Sequence, residues 1–191
     1  MTVLLTAVLA LGALAGCSDN KTGGTPTTPP ASGTGKTSSE PPSGSSGPGL
    51  SIAKYVADPC SILTAAQVST LGSVRAPVKG AGELGPNCTW RGQDVIKNSG
   101  YVIAVTQGKD FDAMVSNVKD NPVFTDKKID GVRVISTDRT DASTGCLTSL
   151  QASKTDSVTI QVSTAADERA TKKACPEGER VAQLIISNLK G

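Results

Sequence analysis

The sequence predicts an α+β domain in which a single antiparallel sheet is packed by two to three helices and fastened by two disulfides. Three observations point there. Val158, Ile160 and Val162 alternate with Thr159, Gln161 and Ser163, the period-2 pattern of a strand with one buried and one wet face. Phe111, Met114, Val115 and Val118 fall at i, i+3, i+4 and i+7, and Val181, Leu184, Ile185 and Leu189 make a second apolar stripe near the C-terminus, both with helical spacing. Besides Cys17 there are four cysteines, Cys60, Cys88, Cys146 and Cys175, an even set that suits two bridges. Runs of strands accompanied by three helices suggest an antiparallel layer.

The chain opens with an uncharged apolar run from Val3 to Ala13, closed by Leu14-Ala15-Gly16-Cys17. This looks like a bacterial lipobox, in which the Cys thiol receives a diacylglyceryl group and the peptide bond before it is cut. Residues 1–16 then read as a lipoprotein signal peptide and Cys17 as the first residue of the mature protein. The apolar run is roughly half of what a bilayer-spanning helix needs, so it is a signal h-region in this reading. Signal peptides carry Lys or Arg ahead of that run. Met1-Thr2 carries neither, which places the expected translation start upstream. Two acyl chains, at about 0.8 kcal/mol per buried methylene, hold a domain stably at a membrane where one chain does so only marginally.

From Ser18 to Gly49 the residues are mostly Gly, Ser, Thr and Pro, and the charges are Asp19, Lys21, Lys36 and Glu40. Such a composition has too little apolar surface to build a core, so residues 17–49 read as the lipidated Cys and a disordered linker. A flexible chain of this length spans roughly 30 Å. Residues 50–191 remain as one disulfide-stapled α+β domain.

Within that domain, Thr64 as N-cap with Gln67 three residues on makes a capping box, and Leu63 and Val68 stand at the positions of a hydrophobic staple,. A short helix is expected from Ala65 to Leu71, closed by Gly72. A short strand at Val74 to Val78 and a flexible loop through Gly80 and Gly85-Pro86 follow. Cys88-Thr89-Trp90 reads as a strand with Cys88 and Trp90 on one face, and Gly100 to Gln107 as another. Asp110 caps a second helix that ends at Asn121-Pro122. After the Asp130-Gly131 turn come strands at Val132 to Thr137, Gly145 to Ser153 and Ser157 to Ser163, the last two joined as a hairpin across Lys154-Thr155-Asp156. Pro176 breaks the pattern ahead of the C-terminal amphipathic helix.

An exported domain meets an oxidising compartment, where cysteines pair. Four cysteines allow three pairings. Cys60 with Cys88 and Cys146 with Cys175 is the favoured set, because each bridge joins neighbouring segments. Loops of such length are worth about 3 kcal/mol each in the chain-entropy model. A zinc site would call for a CxxC pair or histidines, and the chain has neither,.

The absence of any histidine removes Ser-His-Asp and Cys-His hydrolases and most zinc or iron sites. SxxK occurs at Ser51 to Lys54, Ser116 to Lys119 and Ser187 to Lys190, and three occurrences show how cheap that pattern is. Ser18-Asp19-Asn20 and Lys21-Thr22-Gly23 match the two companion motifs of serine β-lactamases, but they stand side by side ahead of every SxxK, whereas those motifs act by converging from separate folded elements. Gly80 to Gly85 fits GxGxxG, yet a dinucleotide site needs a helix directly after it and Pro86-Asn87-Cys88 follows instead. The loop Ser136 to Asp141 is polar but lacks the acidic density of a calcium site. With 19 basic and 17 acidic residues, no like-charge block and only Trp90, Tyr55, Tyr101, Phe111 and Phe124 as aromatics, no nucleic-acid surface is indicated.

Asp58-Pro59-Cys60-Ser61-Ile62-Leu63-Thr64, a helix, Cys88-Thr89-Trp90, two later cysteines and a C-terminal helix together resemble a large family of actinobacterial lipoproteins with a domain of unknown function. The resemblance implies export, lipid anchoring, paired cysteines and an α+β fold, and it carries over no catalytic residue. The expected role is an extracytoplasmic binding or sensing module of the cell envelope, anchored to the membrane through Cys17, without catalytic residues, cofactor or metal, and with an envelope protein or wall component as partner. Two alternatives have structural requirements of their own. A carrier of lipid or another apolar ligand needs a cavity between sheet and helices, and a carboxylate-only hydrolase needs two facing carboxylates.

Overall fold

The computed structural model describes residues 49–191. The readings that fall on residues 1–48, including the signal peptide, Cys17 and nearly all of the linker, lie outside the described residues. The described chain contains a single seven-stranded antiparallel sheet, four α-helices and two disulfides. The strands are β1 (Val78–Gly82), β2 (Gly85–Trp90), β3 (Gly100–Thr106), β4 (Val123–Ile129), β5 (Val132–Asp138), β6 (Gly145–Gln151) and β7 (Ser157–Ser163), and the helices are α1 (Ala53–Ala57), α2 (Ala65–Ser69), α3 (Phe111–Ser116) and α4 (Ala174–Lys190). The order across the sheet is β1-β2-β3-β7-β6-β5-β4. Two meanders, β1 to β3 and β4 to β7, therefore share one seam, where β3 and β7 pair over their full lengths. The connection carrying α3 leaves the middle of the sheet and returns at its far edge.

Register and alternation assign every strand residue to a face. On one face stand Cys88 and Trp90 of β2, Tyr101, Ile103 and Val105 of β3, Val158, Ile160 and Val162 of β7, Cys146 and Leu150 of β6, and Val132 and Val134 of β5, all in the main core cluster. Val181, Ala182, Ile185 and Ile186 of α4 belong to the same cluster, and α4 contacts β5, β6 and β7. Leu150, Val158, Ile160, Val181, Ala182 and Ile185 are fully buried, so the space a carrier would need between α4 and these strands is filled with side chains. Gly178 permits the close approach, since a Cβ there would stand 2.3 Å from Thr148 Oγ1. On the opposite face a smaller cluster forms from Phe111 and Val115 of α3 and Ile135 of β5, with Met114 and Phe124 against it.

Cys60 is bonded to Cys88 and Cys146 to Cys175, with Cα–Cα distances of 5.0 and 5.1 Å. The first bridge ties a 3-10 turn at Pro59–Ile62 to β2, and the second ties β6 to the first turn of α4. Thr64 and Gln67 make both hydrogen bonds of the capping box, and the Asp110 side chain accepts from Ala113 N at 2.9 Å as cap of α3.

Several local expectations need correction. Gly80 to Gly85 is not a flexible loop. Gly80, Ala81 and Gly82 lie in β1, Gly85 begins β2, and Glu83-Leu84 turn the hairpin between them. Gly85 has φ +103, and a Cβ there would press within 2.5 Å of the Val105 carbonyl oxygen, so glycine is required by the turn and by β3 together. The strand expected at Val74 to Val78 is only a bridge from Val74 to Gly92, and the true strand starts where it was expected to end. Strand β4 and helix α1 carry no expectation from the sequence. Helix α2 ends at Ser69 and α3 at Ser116, short of the apolar patterns that announced them. Pro176 lies inside the first turn of α4, where its missing N–H has no intrahelical partner to lose,.

Candidate functional site

The sheet face opposite α4 is only partly covered, and two adjoining surface depressions lie at its uncovered end. Where β2 ends and β3 begins, Thr89, Gly100, Val102 and Ser163 line a groove of about 390 Å³ whose rim includes Arg91, Val95 and Thr164. A second groove of about 480 Å³ lies against β1, between Arg75, Val78, Lys79 and Gly80. Thr89 and Arg91 line both, so the two solvent-open grooves, together the trough, adjoin at these residues. These volumes fall in the range of small-molecule sites. Val78 is 63% exposed and Val95 70%, unusual for aliphatic side chains at the rim of a well-packed domain. Val95 is followed by Ile96 at 58%.

Local hydrogen bonding holds the loop that presents Val95. Asp94 N donates to Asn98 Oδ1 and Ile96 N to Asp94 Oδ1, while Lys97 N and Asn98 N donate to the Asp94 carbonyl. The loop is then pinned to the segment after β7, because Asp167 N donates to the Ile96 carbonyl at 3.1 Å and buried Ser99 donates to Glu168 through both N and Oγ. Burial of Glu168 works against its charge, but hydrogen bonds from Ser99 and Lys172 hold its carboxyl below the usual carboxylate range,. Gly92 is needed where the loop folds back, since a Cβ there would stand 2.0 Å from the Asn98 carbonyl oxygen. The exposed aliphatics therefore sit on a braced loop.

The trough is cationic. Arg75 and Arg91 line it, no Asp or Glu among the described residues does, and Lys79, which borders it, stands opposite Cys88 with its side chain on the other face. Lys79 pairs with Asp58 at 2.8 Å. Among the described residues Arg75 and Arg91 have no carboxylate partner, and the Arg75 guanidinium donates to the Gln93 carbonyl at 3.0 Å. At the inner wall, Thr164 is 5% exposed and its hydroxyl has no hydrogen-bond partner. Among the described residues Trp90 Nε1 is the other buried polar side-chain atom left without one, and its indole belongs to the main core on the other face.

The four cysteines singled out in the sequence come together as the two bridges, away from the trough. In the loop Ser136 to Asp141, Asp138 Oδ1 already accepts from Thr140 Oγ1, Thr140 N and Ala142 N, and the Thr140 hydroxyl leads in holding that carboxylate below its usual range. Asp112 and Asp126 approach each other only through Arg133, at 2.6 and 2.8 Å from its guanidinium. Val78, Gly80, Thr89 and Trp90 stand out in the sequence only as strand, loop or family-pattern residues, and no trough residue carries a binding signal there. The available signal was a pair of aliphatics, Val95-Ile96, inside the polar stretch from Arg91 to Ser99.

Fold and site together define a disulfide-stapled α+β domain with one face of its sheet covered and a cationic, apolar-walled trough on the other. Residues 12–188 match the family model described as "Protein of unknown function (DUF3558)", and the chain belongs to that family. No curated protein and no solved structure matches it.

Proposed function

We propose that this protein is an extracytoplasmic lipoprotein, held at the outer face of the cytoplasmic membrane by a diacylglyceryl group on Cys17, whose domain is a binding or sensing module of the cell envelope and not an enzyme. The lipobox-like Leu14-Ala15-Gly16-Cys17 supports the anchoring. The observation that carries the binding role is the trough, which combines exposed Val78 and Val95 on braced backbone with Arg75 and Arg91, unpaired with any carboxylate among the described residues. Exposed aliphatics held in place beside available cations are what a recognition surface needs, and a core this well filled has no folding use for them.

The test is in-cell photo-crosslinking from Val78 and Val95, with Lys119 as an exposed control, combined with fatty-acid labelling of the wild type and of Cys17→Ala. The expected outcome is labelling of the wild type alone and one shared crosslinked product from the two trough positions that Lys119 does not give. Labelling that persists in Cys17→Ala overturns the anchoring. Identical products from all three positions overturn the binding surface.

A further inference from the structure

We propose that the trough binds an amphiphile with a single oxyanionic head, its apolar body lying along Val95 and Val102 and its carboxylate or phosphate against Arg75 and Arg91. This rests on the reading of the trough as a binding site and goes further by naming the ligand chemistry.

Charge sets the sign of the head. Arg75 and Arg91 line the second groove and have no carboxylate partner among the described residues, whereas Lys79, opposite Cys88 on the other face, is paired with Asp58. A guanidinium presents paired N–H donors that match the two oxygens of a carboxylate or phosphate. Arg75 spends one donor on the Gln93 carbonyl, which leaves the rest available and fixes the group beside the groove. The walls set the body. In the first groove Val95, Val102 and the small Gly92 and Gly100 face the space, and an aliphatic chain would cover Val95, now 70% exposed. Arg91 lines both grooves, so a ligand that spans them meets its guanidinium where they adjoin. Thr164 supplies an independent sign. Its hydroxyl is buried on the groove wall without a partner, a condition that costs free energy unless a ligand or water completes it.

The experiment uses the mature chain with Cys17→Ser, so that its own lipid does not compete. Amide signals are followed during titration with dodecyl phosphate, laurate, inorganic phosphate and dodecyltrimethylammonium. The expected result is saturable binding of dodecyl phosphate or laurate below its micelle concentration, moving Thr89, Gly92 and Val102. The two anionic probes distinguish a phosphate from a carboxylate head. Arg91→Gln and Arg75→Gln should each weaken binding about tenfold, added salt should weaken it further, and Val95→Asp should abolish it, while Lys119→Gln changes nothing.

Equal binding of the cationic amphiphile overturns the proposal, because the head would then be irrelevant. Equal binding of inorganic phosphate overturns it too, because the apolar half would then be idle. If Val78 and Val95 crosslink a shared partner in cells and no anionic amphiphile binds, the binding module stands and this assignment of its ligand falls.

Discussion

The two faces of the sheet are made from the same strands and obey different rules. In β7, Val158, Ile160 and Val162 point toward α4 and are buried to within 1% of full burial, whereas Gln161 and Ser163 point the other way and are exposed. The covered face collects large aliphatics and both bridges, and it has a glycine in α4 where the helix meets Thr148. The opposite face is lined at its middle by small groups, Ala104, Ser149 and Thr159, the last two hydrogen-bonded to each other at 2.9 Å, and it opens into the trough at one end. The lesson concerns division of labour. Most of the core lies on one face, which leaves the uncovered end of the other free to vary its chemistry at little cost to folding.

The largest break in that contrast should come from neighbouring residues of β7. Ile160→Ala is expected to cost about 2–5 kcal/mol by leaving a cavity under α4, and Gln161→Ala to stay within about 0.5 kcal/mol, both read by urea denaturation. Similar costs would mean that the faces are not distinct. Next is the second bridge. Replacing Cys146 and Cys175 together by Ala should cost about 3 kcal/mol, measured by the same method.

A smaller effect tests how close α4 lies. Gly178→Ala places a methyl against Thr148, itself fully buried, and should cost about 1–3 kcal/mol. Thr148→Ala in the same chain should recover part of that, giving a coupling between the two sites.

The smallest effect is pH-dependent. Glu177 accepts from Tyr101 Oη at 2.7 Å and from both Nε and Nη2 of Arg180. Burial opposes its charge, but the hydrogen bonds from Arg180 and Tyr101 prevail and hold its carboxyl below the usual range. The same burial, with the neighbouring carboxylate, pushes the Tyr101 phenol up. A depressed carboxylate contributes stability that is present above its unfolded pKa and lost as pH falls through the folded one. Glu177→Gln should therefore cost about 1–2 kcal/mol at neutral pH, and the gap from wild type should close as the pH drops below about 4. A gap that stays constant down to acid pH would show that packing, not charge, holds this corner of α4.

What could be read in advance follows from the range over which each signal acts. The alternation in β7, the capping box at Thr64 and Gln67 and the helical stripe of α4 are all written by residues two to four apart, so sequence alone determined them. The two bridges were legible for a related reason, since each closes a short loop between neighbouring segments. The fully exposed, glycine-rich β1 has the sequence of a loop, and β4, with Thr125, Asp126, Lys127 and Lys128 exposed at its centre, shows no strand alternation. Both are edge strands, and an edge strand wet on most of its surface does not need apolar alternation. Tertiary structure alone decided that β3 lies beside β7, because that pairing joins residues far apart in the chain and depends on which faces can be buried together. The trough follows from the same pairing. Arg75, Val95, Val102 and Ser163 come from four separate segments, and only the closure of the β3–β7 seam and the folding back of the Arg91–Ser99 loop bring them to one place.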